Sequence, residues 1–215
     1  MTSSGLTREA RKAETKEALF RAAAKLFSRD GIEATSVERV AAELGLTKGA
    51  VYAHFSSKQE LVLALAHRIE NDMDQSRLLE MLFDGSLSLE ERLAKVGRES
   101  ARLTEEGILG LDDKEATLLD LEYFIYGLRN RDPEFGATQR RTYEELGARI
   151  EAIQNERGEP LAFAGSTFFP LGTNLFRGIQ IAHAQVPDLV PATLYEELGR
   201  AIAKILLAKP KGKRT

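Results

Sequence analysis

The chain has 215 residues, 43% of them hydrophobic and 29% charged, which is ordinary globular composition and room for a small domain plus a larger one. It has no cysteine, so disulfides, thiolate nucleophiles and cysteine-ligated metals are excluded. The net charge of −3 is unevenly spread: residues 1–59 carry 10 Lys/Arg against 7 Asp/Glu, residues 60–208 carry 16 against 26, and the last seven add four cations, so only the head suits a polyanion.

Taken in chain order, nearly every segment reads helical. The polar start has no apolar run of the kind a signal peptide needs. Glu9 to Arg29 places Leu19, Ala22, Ala23, Leu26 and Phe27 on one stripe, and Asp30-Gly31 ends it. A short helix follows, capped by Thr35 or Ser36, with Val37, Val40, Ala41 and Leu44 inward. Thr35-x-x-Glu38 has capping-box spacing and favours Thr35 as the cap. Gly45 closes that helix, Thr47 opens the next, and Ser56-Ser57 breaks the chain before a longer helix from Lys58 with Leu61, Leu65 and Ile69 apolar. Further helices are predicted at 88–107, 114–131, 134–157, 162–186 and 191–207, separated by Gly- and Pro-containing breaks. No segment alternates long enough for a strand. The stretch from Leu161 to Val186 has Arg177 as its single charge, but Pro170, Asn174, Gln180 and His183 make it too polar for a lipid-facing span. It reads as a helix buried in protein, and the chain as cytoplasmic, with no membrane partner. The fold class is all-α: an N-terminal three-helix head at 1–56, a larger helical bundle at 57–208, and a basic, disordered tail at 209–215.

The stretch Thr47 to Phe55, TKGAVYAHF, is unusual for a surface helix. On a wheel of about 100° per residue, Val51 and Phe55 point inward, while Ala53, Gly49 and Ala50 leave the outer surface almost bare. Lys48 and Tyr52 form one shoulder, Thr47 and His54 the other. A bare tip lets a backbone approach base edges in the major groove, and such shoulders suit phosphate oxygens. With the preceding helix it makes a helix-turn-helix. Lys58, at the start of the next helix, can hold a phosphate with the free backbone N–H groups there.

Leu26-Phe27, Asp30-Gly31, Thr35-Ser36, Val40-Ala41, Leu44-Gly45, Lys48-Gly49-Ala50-Val51-Tyr52, His54-Phe55 and Lys58-x-x-Leu61 occur in that order. This set resembles the DNA-binding head of the tetracycline-repressor (TetR) family over roughly the first 70 residues. Beyond them the likeness is one of length and helix order. The resemblance implies that Lys48, Gly49 and Ala50 lie against bases, and that Thr35, Ser36, Tyr52, His54 and Lys58 bind the DNA backbone. It also implies a homodimer through the last two helices, a palindromic double-stranded operator, and a repressor released by a small-molecule effector. Two linked heads gain effective concentration over one, which is the physical reason for pairing.

In the body, Tyr123 and Tyr126 stack at helical spacing, and Phe169 and Asn174 are available from a later helix; with Arg177 they are candidate contacts for a mainly apolar or aromatic effector. No nucleophile elbow, phosphate loop or paired-histidine metal motif occurs, so neither enzyme, metal nor cofactor is expected. The competing reading is a helical protein-interaction module that keeps the head without reading DNA sequence.

Overall fold

The computed structural model describes residues 7–72, 75–130 and 133–207, the side chains of 70–76 and 131–139 excepted. Its helices are α1 (Arg8–Asp30), α2 (Val37–Glu43), α3 (Lys48–Tyr52), α4 (Lys58–Asp72), α5 (Gln75–Leu82), α6 (Leu89–Glu106), α7 (Asp113–Arg129), α8 (Pro133–Glu156), α9 (Gly165–Gln185) and α10 (Tyr195–Leu206), with a 3-10 turn at Ala192–Leu194 before the last. The all-α class stands: among the described residues there is no strand, only the isolated bridges Ile108–Leu111 and Leu161–Leu207. Among them, too, no helix is long and apolar enough to cross a membrane. The basic tail expected to be disordered lies outside the described residues.

Two compact units emerge. The first joins α1 to α4 with residues 107–130, and so with α7. Leu19, Leu26 and Phe27 of α1, Val40 and Ala41 of α2, Val51 of α3, Leu61 and Leu65 of α4 and Leu119 of α7 share its core. The predicted stripes therefore face inward as their spacing requires. Helix α7 starts at a full capping box: Asp112 accepts from the Glu115 N–H at 2.8 Å, and Glu115 accepts in return from the Asp112 N–H. A helix assigned from sequence to the body is thus part of the same compact unit as the head.

The second unit contains α5, α6, α8, α9 and α10, with Leu89, Leu93, Ile150, Phe168, Phe169, Ile202 and Leu206 in its core. Glycines set its two closest helix crossings. A Cβ on Gly199 of α10 would lie 2.2 Å from the Leu93 carbonyl oxygen of α6, and one on Gly165 of α9 would lie 2.1 Å from that of Gly147 on α8. The buried Arg92 guanidinium donates to the carbonyls of Leu82 (3.0 Å) and Ser88 (3.4 Å) and to the Gln154 side chain, satisfying a charge that would otherwise be costly there.

The helix predicted from Lys58 is α4, Lys58–Asp72, and α5, a helix that the sequence reading did not set apart, belongs to the second unit. Helix α9 is buried only near its start, at Gly165, Phe168 and Phe169; Leu171 and Leu175 are exposed in the single chain.

Candidate nucleic-acid interface

The turn between α2 and α3 fixes how the short helix is presented. Gly45 takes a positive φ of 65°; its N–H donates to Ala42 O (3.0 Å) and the Leu46 N–H to Ala41 O (2.9 Å). This double closure satisfies the last carbonyls of α2 and favours glycine at that position. Thr47 then caps α3, its hydroxyl accepting from the Ala50 N–H at 3.3 Å. Only Val51 in the helix, and Phe55 just beyond it, are buried. Lys48, Gly49, Tyr52 and Ala53 are exposed and Ala50 is half-buried, so the bare outer face read from the wheel is present. The helix is shorter than the stretch that suggested it, since it stops at Tyr52 with Ala53 as its cap residue.

Ser36, not Thr35, caps α2: its hydroxyl accepts from the Arg39 N–H at 3.3 Å. Thr35 is buried, and its hydroxyl donates to Gly31 O at 2.8 Å, closing the end of α1. The expected capping box fails because Glu38 reaches elsewhere, to Lys48, with which it forms an ion pair across the helix-turn-helix. That hydrogen bond holds Glu38 down at about 2 and raises Lys48. The Lys48 amine also stands 5.6 Å from the centre of the Tyr52 ring.

The remaining candidates flank this face. Lys58 donates to Glu33 O at 3.0 Å, and its ammonium keeps two further donors. His54 is half-buried, and its Nδ1 has no hydrogen-bond partner among the described residues. Burial, then the charges of Lys12 and Lys16, lower its pKa. Lys16, whose amine lies 5.8 Å from the Phe55 ring centre, and the half-exposed Arg39, paired to Asp30 at 2.7 Å, add positive charge that no sequence motif marked.

The five body candidates divide between the units. Tyr123 and Tyr126 pack on the head's core, and the Tyr123 hydroxyl donates to Val62 O of α4 at 2.9 Å. Burial pushes that phenol's pKa up. Phe169 is a core residue of the second unit, edge-to-face with Phe168 at 5.4 Å. Asn174 and Arg177 meet on α9, where Arg177 donates to the Asn174 side-chain oxygen at 2.7 Å and Asn174 donates to Pro170 O.

Residues 19–65 match the family described as bacterial regulatory proteins, tetR family. An uncharacterised HTH-type transcriptional regulator, YerO of Bacillus subtilis, is 37% identical over 68 residues, which is 31% of this chain and 24% of that protein. The match thus spans about a quarter of that relative's length. The HTH-type transcriptional repressor Rv3405c of Mycobacterium tuberculosis is 26% identical over 90% of this chain and 89% of its own. In structure, native NalD of Pseudomonas aeruginosa, described as the secondary repressor of a multidrug efflux pump, superposes with a TM-score of 0.69 over 93% of this chain and all of its own, at 23% identity. That last likeness speaks for the fold.

Proposed function

We propose that this chain, a helix-turn-helix regulator of the tetR family, represses transcription from a palindromic operator and is released by a small, mainly apolar or aromatic effector. One observation carries the DNA reading: α3 buries only Val51 and leaves Lys48, Gly49 and Tyr52 outward, with Thr47 capping it and Ser36 capping α2. In a major groove, Lys48, Gly49 and Ala50 meet base edges, while Ser36, Thr47, Tyr52, His54 and Lys58 meet phosphates. Thr35 supports this arrangement from inside.

Repression agrees with the role of Rv3405c, the Mycobacterium tuberculosis transcriptional repressor that is similar to this chain over most of its length. Homodimerisation is proposed through α9 and α10. Leu171 and Leu175 of α9, Val186 just past its end and Ile205 of α10, the last 58% exposed, are apolar surface in the single chain, which pairing would cover. The effector is proposed to contact the second unit at Phe169, Asn174 and Arg177. Tyr123 and Tyr126 serve the packing of α7 on the head.

The test is selection of random duplexes by the purified full chain, read by sequencing. A palindrome with two similar half-sites is the expected result. No enriched sequence at moderate salt refutes the DNA reading and favours an interaction module. A single 23.8 kDa species by equilibrium sedimentation at micromolar concentration refutes the dimer. Effector release unchanged by alanine at Phe169, Asn174 and Arg177 refutes the effector contacts.

A further inference from the structure

The turn between α1 and α2 is pinned from outside the helix-turn-helix. Glu122 of α7 accepts from the Ile32 N–H at 3.0 Å, and Asn130, just past the end of α7, donates to the Glu33 carboxylate at 3.1 Å. Tyr126 lies between them on the same stripe, at i+4 from each, and packs on the head's core. The turn itself begins at Gly31, whose φ is 88°; a Cβ there would stand 3.1 Å from the Glu122 carboxylate. The carbonyl of the same Glu33 accepts from the Lys58 amine. Ile32 and Glu33 are therefore held at three points, two from α7 and its cap and one from α4, three residues before the Ser36 cap.

We propose that Glu122 and Asn130 are positioning residues for DNA binding. They fix the α1–α2 turn, and through Glu33 they fix the Lys58 amine, so that its remaining donors meet a phosphate. Two physical points favour a positioning role over simple packing. Glu122 and Asn130 reach the turn through polar groups rather than apolar side chains, and both act on Ile32–Glu33, the stretch that also holds the Lys58 amine. The ammonium of Lys58 is a point charge on a flexible stem, and a fixed carbonyl at its tip is what gives it a direction. DNA affinity is then set partly from α7, a helix that reads no base, and a change that moves α7 is transmitted to a phosphate contact. The inference rests on the reading of Lys58 as a phosphate ligand.

The experiment uses the full chain and the duplex selected by the wild type, with affinity followed by fluorescence anisotropy over a salt series and folding by circular dichroism. Glu122→Ala should weaken binding by about tenfold with a shallower salt slope, because one phosphate contact loses its aim. Glu122→Gln, whose amide oxygen still accepts from Ile32, should stay within about twofold of wild type. Asn130→Ala, a change at an exposed position, should move affinity in the same direction by about threefold, a loss smaller than that of a charged partner. The deciding readout is coupling: in a Lys58→Ala background, Glu122→Ala should weaken binding by less than about twofold. Equal losses in both backgrounds, or a folded Glu122→Ala protein that binds like wild type, overturn the positioning role. If the wild type enriches no duplex, or Lys58→Ala alone binds like wild type, the DNA reading itself fails, and the two failures are told apart by those controls.

Discussion

Replacing Gly199 with alanine puts a helix propensity gain against a backbone collision. The new Cβ would stand 2.2 Å from the Leu93 carbonyl oxygen, 2.8 Å from its carbon and 3.3 Å from the Ala94 nitrogen. All three are backbone atoms of α6, so no side chain can rotate aside. The helices must part by about 1 Å, and overpacking of that kind costs about 1–3 kcal/mol and occasionally more. It also opens contacts around Ile202 and Leu206, which are buried in the same core. Against this stands a gain of about 1 kcal/mol for alanine over glycine in a helix. A contact of 2.2 Å with backbone atoms belongs in the upper part of that range, about 2–3 kcal/mol, so packing wins, with an expected net loss of about 1–2 kcal/mol, or a melting temperature lower by about 2–8 °C for a chain of this size. Gly127 on α7 is the control: nothing lies within 4 Å of its Cβ position, so alanine there should stabilise by about 0.5–1 kcal/mol. The assay is thermal unfolding of both variants beside wild type, followed by circular dichroism. A Gly199→Ala protein that melts at or above wild type would refute the close crossing of α6 and α10.

Further tests bear on the interface. Lys48→Ala should cost about 1–3 kcal/mol at the selected duplex and broaden the selected sequence, whereas Tyr52→Ala should weaken all duplexes evenly; an unchanged sequence preference for the lysine variant removes its base-reading role. Thr35→Val should lower the head's stability by about 1 kcal/mol through the lost bond to Gly31 O and leave the salt slope alone, while Ser36→Ala should weaken the α2 cap and flatten the slope; a flatter slope for the valine variant would return Thr35 to the phosphate contacts. The His54 pKa lies below its ordinary value of about 6.5, so the unfolded chain takes up the proton first and this residue's stabilising share is lost as pH falls from that value to the depressed one. A phosphate beside His54 reverses the sign for binding: the complex holds the proton more tightly than the free head, so titrations from pH 8 to 6 should show rising affinity that His54→Gln lacks. Glu38→Gln should raise affinity for random duplex more than for the selected one, and equal increments would show that the Lys48 pair plays no part in discrimination.

Much of the head was legible because its determinants are local. Leu19 to Phe27 declare a helical stripe, Gly45 and Thr47 a turn and a cap, and Val51 with Phe55 the buried side of the short segment after it, though not that its helix stops at Tyr52. What escaped were choices between equivalent local options. Thr35 and Ser36 are both competent caps; Thr35 loses because the end of α1 needs its hydroxyl, a contact set by tertiary packing. Glu38 has the spacing for a capping box but finds a lysine ten residues on, across a turn whose geometry no spacing rule encodes. The pairing of α7 with the head rests on Glu122, Tyr123 and Asn130 meeting residues 61 to 97 positions away. Nothing in a polar or aromatic residue on a helix names so distant a partner. How much of α9 its own chain covers was not legible either: apolar composition marks surface that wants cover, and does not say whether the same chain supplies it.

The pair of Lys48 with Glu38 gives the recognition helix an acceptor of its own. On the proposed reading of Lys48 as a base contact, a free head would approach DNA with that lysine already paired, and both partners are more than half exposed, so the pair can exchange. On a random duplex the lysine gains little by leaving, and the head adheres through fewer cations. On a duplex that presents base acceptors in register, the carboxylate is displaced. On that reading the built-in competitor would shorten the time spent on the wrong sequences, which are the great majority, and a protein that must find one site among very many is helped as much by letting go as by holding on.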